Sequence, residues 1–317
     1  MMMKTEIFAG LLALILGTAF TAALIPLLKK NHVGQSICKD VPAHQKKAGT
    51  PTMGGLAFVP AMLISTLPFV KEYPDCGFVL LMSVGFGLVG FTDDMMKLKR
   101  GKNEGLTAWQ KLLGQLIITG VFVWLFMSKY AEATVIRLPF SGKTWDMGWL
   151  YVPFVILVVL GTDNGVNLTD GVDGLCSSVT AVVALCFLLM SRTLEAGLEP
   201  VCAAAAGALL GFLLFNTNPA KVFMGDTGSL ALGGFVASAA VLLRQPLIIL
   251  LVGFIYLCET LSVMIQRTYF KITHGKRIFK MTPIHHSFEK DGWSEARIVI
   301  VFTAVTVLCC GIALLGV

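Results

Sequence analysis

Residues 7–28 read IFAGLLALILGTAFTAALIPLL, twenty-two consecutive positions without a charge. A helix needs about 20 apolar residues to cross the hydrocarbon core of a membrane, so this stretch is long enough to span one. Lys4 lies before it, as in a secretory leader, but no small-residue cleavage site follows and similar stretches do. It therefore reads as a first transmembrane helix and not as a removable segment.

Nine further uncharged stretches follow at 48–70, 76–92, 112–128, 147–162, 174–191, 200–220, 227–243, 245–258 and 298–317. The stretches at 147–162 and 245–258 are short, and the second extends to Gln266 if Glu259 faces the protein interior. All are apolar around their whole circumference, as lipid-embedded helices are. The expected fold is an all-α, polytopic integral membrane protein with about ten transmembrane helices, forming a single domain over residues 1–317.

Composition agrees. Of the 317 residues, 56% are hydrophobic and 14% charged, against about 25% charged in a soluble domain. Mean hydropathy is +0.78. These values exclude a soluble globular enzyme, a disordered chain, a collagen-like fibre and a nucleic-acid binder working through a basic face. The eight cysteines include Cys186, Cys202, Cys258, Cys309 and Cys310 inside apolar runs, with no CxxC pattern. They read as small packing residues and not as a disulfide framework.

The net charge of +6 says little until it is placed. With loops numbered by the span they follow, odd loops hold 18 of the 25 Lys and Arg residues. Positive-inside reasoning puts those loops in the cytoplasm and both termini outside. Asp93, Asp94, Asp163, Asp170, Asp173 and Asp226 fall in the same odd loops, at or near span ends. Each alone reads as a solvated helix cap. Six together, on the face that carries most of the lysines, mark that face as the site of chemistry.

Four strings carry these residues. Gly90-Phe91-Thr92-Asp93-Asp94 closes the third span, and adjacent carboxylates suit Mg²⁺, which takes one or two of them along with phosphate or water oxygens. Asp163-Asn164-Gly165-Val166-Asn167-Leu168-Thr169-Asp170-Gly171-Val172-Asp173-Gly174 reads as a turn-rich loop that presents carboxylates and backbone N–H groups. It lacks the closing Glu of a calcium loop. In the 216–229 stretch, glycine-bracketed Asp226 precedes the eighth span, where a carboxylate meets helix N-terminal donors. Met281-Thr282-Pro283-Ile284-His285-His286-Ser287-Phe288-Glu289 pairs two histidines. Adjacent side chains point to different sides of a helix or extended segment, so they chelate one metal poorly but suit a diphosphate or a proton shuttle.

With Lys47-Ala48-Gly49-Thr50-Pro51-Thr52-Met53-Gly54-Gly55, these strings resemble the membrane polyprenyl-phosphate N-acetylhexosamine-1-phosphate transferases, and within them the branch acting on muramoyl-pentapeptide. The matching strings run from residue 47 to 289. One departure is Ser287, where the family commonly has a third histidine. The resemblance implies a Mg²⁺-dependent phosphotransferase in the bacterial cell membrane. It would take UDP-MurNAc-pentapeptide and undecaprenyl phosphate to lipid I and UMP in peptidoglycan biosynthesis. It also implies binding of nucleoside-type inhibitors, a homodimer, and no nucleic-acid partner.

The resemblance assigns roles as well. Asp226 would be the main Mg²⁺ ligand, with Asp93 and Asp94 beside it. Asp93 would orient or deprotonate the lipid phosphate, and His285 would join these three as catalytic. Asn167, Asp170, Asp173, Phe223 and Gly225 would hold the nucleotide, the ring stacking on uracil. Lys47, Thr52, Asn216, Ser229, Gln266 and His286 would line the sugar and diphosphate region, with Lys111 on phosphate. A one-step transfer and a covalent two-step route both remain open. The rival functions are a GlcNAc-1-phosphate transferase of the same family, separated by the ninth loop, and a secondary transporter. The transporter would need ionisable residues near the midplane and repeated halves. Only Glu259 sits inside an apolar stretch, and no repeat is visible.

Overall fold

A computed structural model describes residues 2–30, 49–100 and 104–317. The helices are α1 (Met2–Lys30), α2 (Gly55–Thr66), α3 (Cys76–Arg100), α4 (Ala108–Lys129), α5 (Tyr151–Thr169), α6 (Leu175–Leu194), α7 (Glu199–Asn216), α8 (Gly225–Leu242), α9 (Ile249–Val252), α10 (Phe254–Ile272), α11 (Ile284–Lys290) and α12 (Glu295–Leu314). Each of the ten uncharged stretches contains helix. Among the described residues, eight helices are long and apolar enough to cross a membrane, or nine if α9 and α10 count as one bent span.

Two expected spans differ from their reading. The second begins only at Gly55 and ends at Phe69, in a single 3₁₀ turn. At about 1.5 Å per residue its fifteen residues reach about 22 Å, short of the roughly 30 Å core. The ninth is broken: the helical pieces on either side of Gly253 diverge by 84°. Gly253 leaves helical geometry (φ −97°, ψ 20°), and a methyl group there would sit 2.8 Å from the Ile249 carbonyl oxygen. Uniform apolarity conceals both features, because hydropathy records composition and not backbone direction.

The all-α expectation has one small exception. Strands β1 (Val135–Arg137) and β2 (Thr144–Asp146) pair antiparallel between α4 and α5, with Ile136 opposite Trp145. Arg244 fastens this hairpin to the end of α8, donating to the carbonyls of Glu132 (2.7 Å) and Ala133 (3.0 Å). The seven described cysteines are unbridged, and five of them are buried.

Helix α8 forms the centre of the bundle. Every residue from Thr227 to Leu242 is buried, and α3 and α5 pack against it. At the periphery, Ile7, Phe8, Leu11 and Ile15 of α1 are more than half exposed, which is the face that lipid would cover. Lipid is as apolar as leucine, so packing between such helices depends on close van der Waals fit and small residues. The α1–α7 contact shows this, since a methyl on Gly207 would lie 2.1 Å from the Gly10 carbonyl oxygen.

Candidate active site

The C-terminal turns of α3 meet the first turn of α8 at a backbone-to-backbone contact. A methyl on Gly90 would fall 2.0 Å from the Asp226 carbonyl oxygen, so only glycine lets the helices approach this closely. The expected end of the third span at Thr92 is overrun, because α3 continues to Arg100. Asp93 and Asp94 are therefore helical residues, both buried.

Asp94 caps α8 from outside. Its carboxylate accepts from Thr227 N (2.9 Å), Thr227 Oγ1 (2.7 Å) and Asp226 N (3.3 Å), while Met224, at the cap position, supplies no side-chain bond. A carboxylate at a helix N-terminus satisfies orphan N–H groups and the helix dipole together. With capping supplied by Asp94, the Asp226 carboxylate points elsewhere.

It points into a cluster of charges. Asp226 Oδ2 lies 2.9 Å from Lys97 Nζ and 2.7 Å from Lys111 Nζ. Lys97 is also 2.6 Å from Asp93 Oδ2, although outside hydrogen-bond alignment, and Asp93 Oδ1 accepts from Leu106 N at 2.7 Å. Asn167 donates to Asp226 Oδ1 (3.1 Å) and to Ser229 Oγ (2.7 Å). Asp93, Asp94 and Asp226 each present an oxygen within 4.8 Å of the others. An all-oxygen set of three carboxylates, already drawing in two ammonium groups, fits a hard divalent cation.

Gly225 has φ +72°, and a side chain there would crowd Asp94 Oδ2 (2.8 Å), Met53 N and Thr52 Oγ1 (both 3.0 Å). The Pro51–Gly55 segment reaches this point by pairing with the chain before α8: Gly54 N donates to Phe223 O, and Phe223 N to Pro51 O, both at 2.8 Å. Thr52 is thereby buried at the cluster's edge, and Phe223 is half-buried. Lys47 lies outside the described residues.

The expected 163–174 loop is largely helix. Helix α5 runs to Thr169, leaving only the segment from Asp170 to Gly174 as a turn. Asp163 is thus a fully buried helical residue one turn below Asn167, accepting from Gln115 Nε2 at 2.5 Å. Asp170, in the turn, is half-buried, with its carboxyl enclosed. Burial, with Asp226, Asp94 and Asp173 nearby, pushes that carboxyl well above the usual carboxylate range. Asp173 Oδ2 accepts from Ala220 N (3.0 Å) and Asn218 Nδ2 (3.2 Å), tying the turn to the 216–221 connection. Asn216 braces the same connection, accepting from Ser177 and donating to Val222 O. Its polar atoms are both engaged within the protein.

In the ninth loop, Gln266 Oε1 accepts from Ile278 N and Phe279 N and so pins that loop to α10. His285 is fully buried. The two histidines do not point apart: their ring centroids are 4.1 Å apart, because the short α11 folds both rings back against the bundle. His286 Nδ1 contacts Glu289 Oε2 at 2.5 Å. Ser287 bonds both the N–H and the carbonyl of Met281, closing the turn into α11.

The residues brought together at the cluster are thus Asp93, Asp94, Asp226, Lys111, Asn167, Ser229, Gly225 and Thr52. His285 and Asp170 form an adjoining group, and Asp173, Asn216 and Gln266 brace the surrounding loops. Sequence reading missed Lys97 and Thr227, and it singled out Glu259 as an interior carboxylate without its partner. Lys97 had a signal, since it stands one helical turn after Asp93.

The model of glycosyl transferase family 4 matches residues 77–244 of this helical bundle, which places the chain in a class of membrane-embedded transferases. A phospho-N-acetylmuramoyl-pentapeptide-transferase signature matches residues 47–59. Proteins named phospho-N-acetylmuramoyl-pentapeptide-transferase are similar along almost the whole chain. The one from Clostridium kluyveri is 47% identical, covering 98% of each chain, and that from Clostridium perfringens strain 13 is 49% identical, covering 97% of each. The Bacillus mycoides protein is 45% identical over 96% of this chain and 94% of its own. The chain belongs to the phospho-N-acetylmuramoyl-pentapeptide-transferase family.

Proposed function

We propose that this chain transfers phospho-MurNAc-pentapeptide from UDP-MurNAc-pentapeptide to undecaprenyl phosphate, giving lipid I and UMP in peptidoglycan synthesis. The observation that carries this reading is the convergence of Asp93, Asp94 and Asp226 with Lys97 and Lys111 at one end of the bundle. A lipid phosphate oxygen attacks the sugar-side phosphorus, the bond to UMP breaks, and UMP leaves with the electron pair. Two polyanions must meet, so neutralisation and alignment carry most of the catalysis.

Asp226, Asp93 and Asp94 would hold Mg²⁺, which when bound neutralises diphosphate charge and polarises the breaking bond. Asp93 orients the lipid phosphate and accepts its proton where one is present. Lys111 and Lys97 exchange their carboxylate contacts for phosphate oxygens. Asn167, Asp170, Gly225 and Phe223 receive the nucleotide, with the half-buried ring under uracil, and Asp173 and Asn216 hold that loop in place. Thr52, Ser229, Gln266, His285 and His286 border the sugar and diphosphate.

The chain is a single transmembrane domain of a bacterial plasma-membrane protein with ten membrane-embedded segments, α2 and the bent α9–α10 pair counted among them. Both termini lie outside and the site faces the cytoplasm, a topology supported by the 18 of 25 basic residues in odd loops. The reading is tested by offering UDP-MurNAc-pentapeptide or UDP-GlcNAc to purified protein with undecaprenyl phosphate, with and without Mg²⁺. UMP release from the first substrate alone, abolished by chelation, is expected. Equal turnover of UDP-GlcNAc, or turnover indifferent to chelation, would overturn it.

A further inference from the structure

Glu259 lies on α10 within a membrane-grade apolar run and is completely buried. A carboxylate in that position is costly unless something engages it. What engages it is His285, on the short α11 of the adjoining loop. Glu259 Oε1 stands 3.1 Å from His285 Nδ1, at ion-pair distance although not in hydrogen-bond alignment. The second oxygen accepts from the His285 backbone N–H at 3.5 Å.

The other edge of the ring is equally confined. A methyl on Gly171 would lie 2.2 Å from His285 Nε2, so this nitrogen abuts the Asp170–Gly171 turn. Nε2 is buried and has no hydrogen-bond partner among the described residues. The His286 ring covers a third side. One imidazole nitrogen therefore faces a carboxylate, while the other is directed, unpaired, at a turn beside the carboxylate cluster. Nδ1 is thus held beside a carboxylate, while Nε2 is the edge of the ring that meets the turn.

We infer that Glu259 is a positioning residue for the transfer reaction, holding His285 with Nε2 presented to the Asp170–Gly171 turn. The inference rests on the function proposed above, in which His285 borders the diphosphate. Glu259 touches no substrate and acts only through the histidine. Its position also gives a carboxylate in an apolar span a role: α10 packs against α11, and Glu259 is the charged contact from α10 to the His285 ring.

The test is a double-mutant cycle in the full-length protein in detergent, reading kcat and KM for UDP-MurNAc-pentapeptide by UMP release. Outer-shell partners of functional side chains typically cost about 10- to 100-fold when removed. Glu259→Ala should lower kcat by about that factor and leave KM within about threefold. Glu259→Gln, which keeps an acceptor of the same shape, should recover part of the loss. In a His285→Ala background, Glu259→Ala should cost almost nothing more, because its effect passes through the ring. If the two losses instead multiply, or if Glu259→Ala lowers only the melting temperature while folded protein keeps wild-type kcat, the inference is wrong. Should the Ala variant not fold, the same cycle is read with Glu259→Gln. A wild-type protein that releases no UMP from this substrate overturns the proposed function itself, whereas an active wild type with a multiplicative cycle overturns only the role of Glu259.

Discussion

The two ends of the helical bundle handle buried charge in opposite ways. At the end holding β1 and β2, three acids stand apart from one another, each with separate partners. Asp75 meets Lys129 and Tyr130, both at 2.5 Å, Glu199 accepts from Ser191, and Glu6 faces Arg192 at 3.7 Å. At the other end, three carboxylates share two lysines within a few ångströms. Two unit charges 4.8 Å apart repel by about 3 kcal/mol at an effective dielectric of about 20. One end thus separates its charges for stability. The other concentrates like charges and uses the fold, through Gly90 and the cap from Asp94, to hold them there.

The sharpest way to break this comparison is to remove a converging acid. Asp226→Ala should cut UMP release by about a thousandfold, the scale for losing one electrostatic element of a transfer site, while circular dichroism in detergent stays unchanged. Wild-type turnover by the folded variant would show that convergence has no catalytic purpose. Gly90→Ala attacks the cause of convergence. Overpacking costs about 1–3 kcal/mol, so the melting temperature should fall and UMP release should drop at least about tenfold. Retained activity would mean that the backbone contact is incidental.

Smaller effects sharpen the boundary between the ends. Gln115→Leu leaves the Asp163 carboxyl without its donor, one turn below the cluster. A buried group stripped of its partner costs about 1–3 kcal/mol. Thermal unfolding should show that loss, together with a fall of several-fold in kcat as Lys111 and Asn167 lose registry. Asp75→Asn, at the opposite end, should change stability by less than about 1 kcal/mol, as partly exposed ion pairs do, and leave UMP release untouched. A catalytic defect there would erase the distinction.

Most of the bundle was legible because lipid leaves a plain record: an uncharged run had to become a buried or lipid-facing helix, and every such run contains one. Direction within a run was not legible. The 84° break at Gly253 and the late start of α2 at Gly55 occur in residues as apolar as their neighbours. Polar residues were misread where helix continues past the apolar run. Asp93, Asp94 and Asp163 looked like loop residues, yet helical hydrogen bonding carries α3 to Arg100 and α5 to Thr169. The aspartates were visible as candidates because six gather in odd loops. The pairing of Glu259 with His285 was not, because 26 residues separate them and only the tertiary fold supplies the contact.

Lys97 and Lys111 have a consequence for how the protein is made. They neutralise much of the carboxylate cluster with groups the chain itself carries. Helices α3 and α8 can therefore dock during membrane insertion without waiting for a divalent ion, and loading of the Mg²⁺ proposed above would be a late exchange at a finished site. Chelation should then silence the protein without unfolding it, so that cells short of magnesium would keep a dormant pool that recovers as soon as the ion returns.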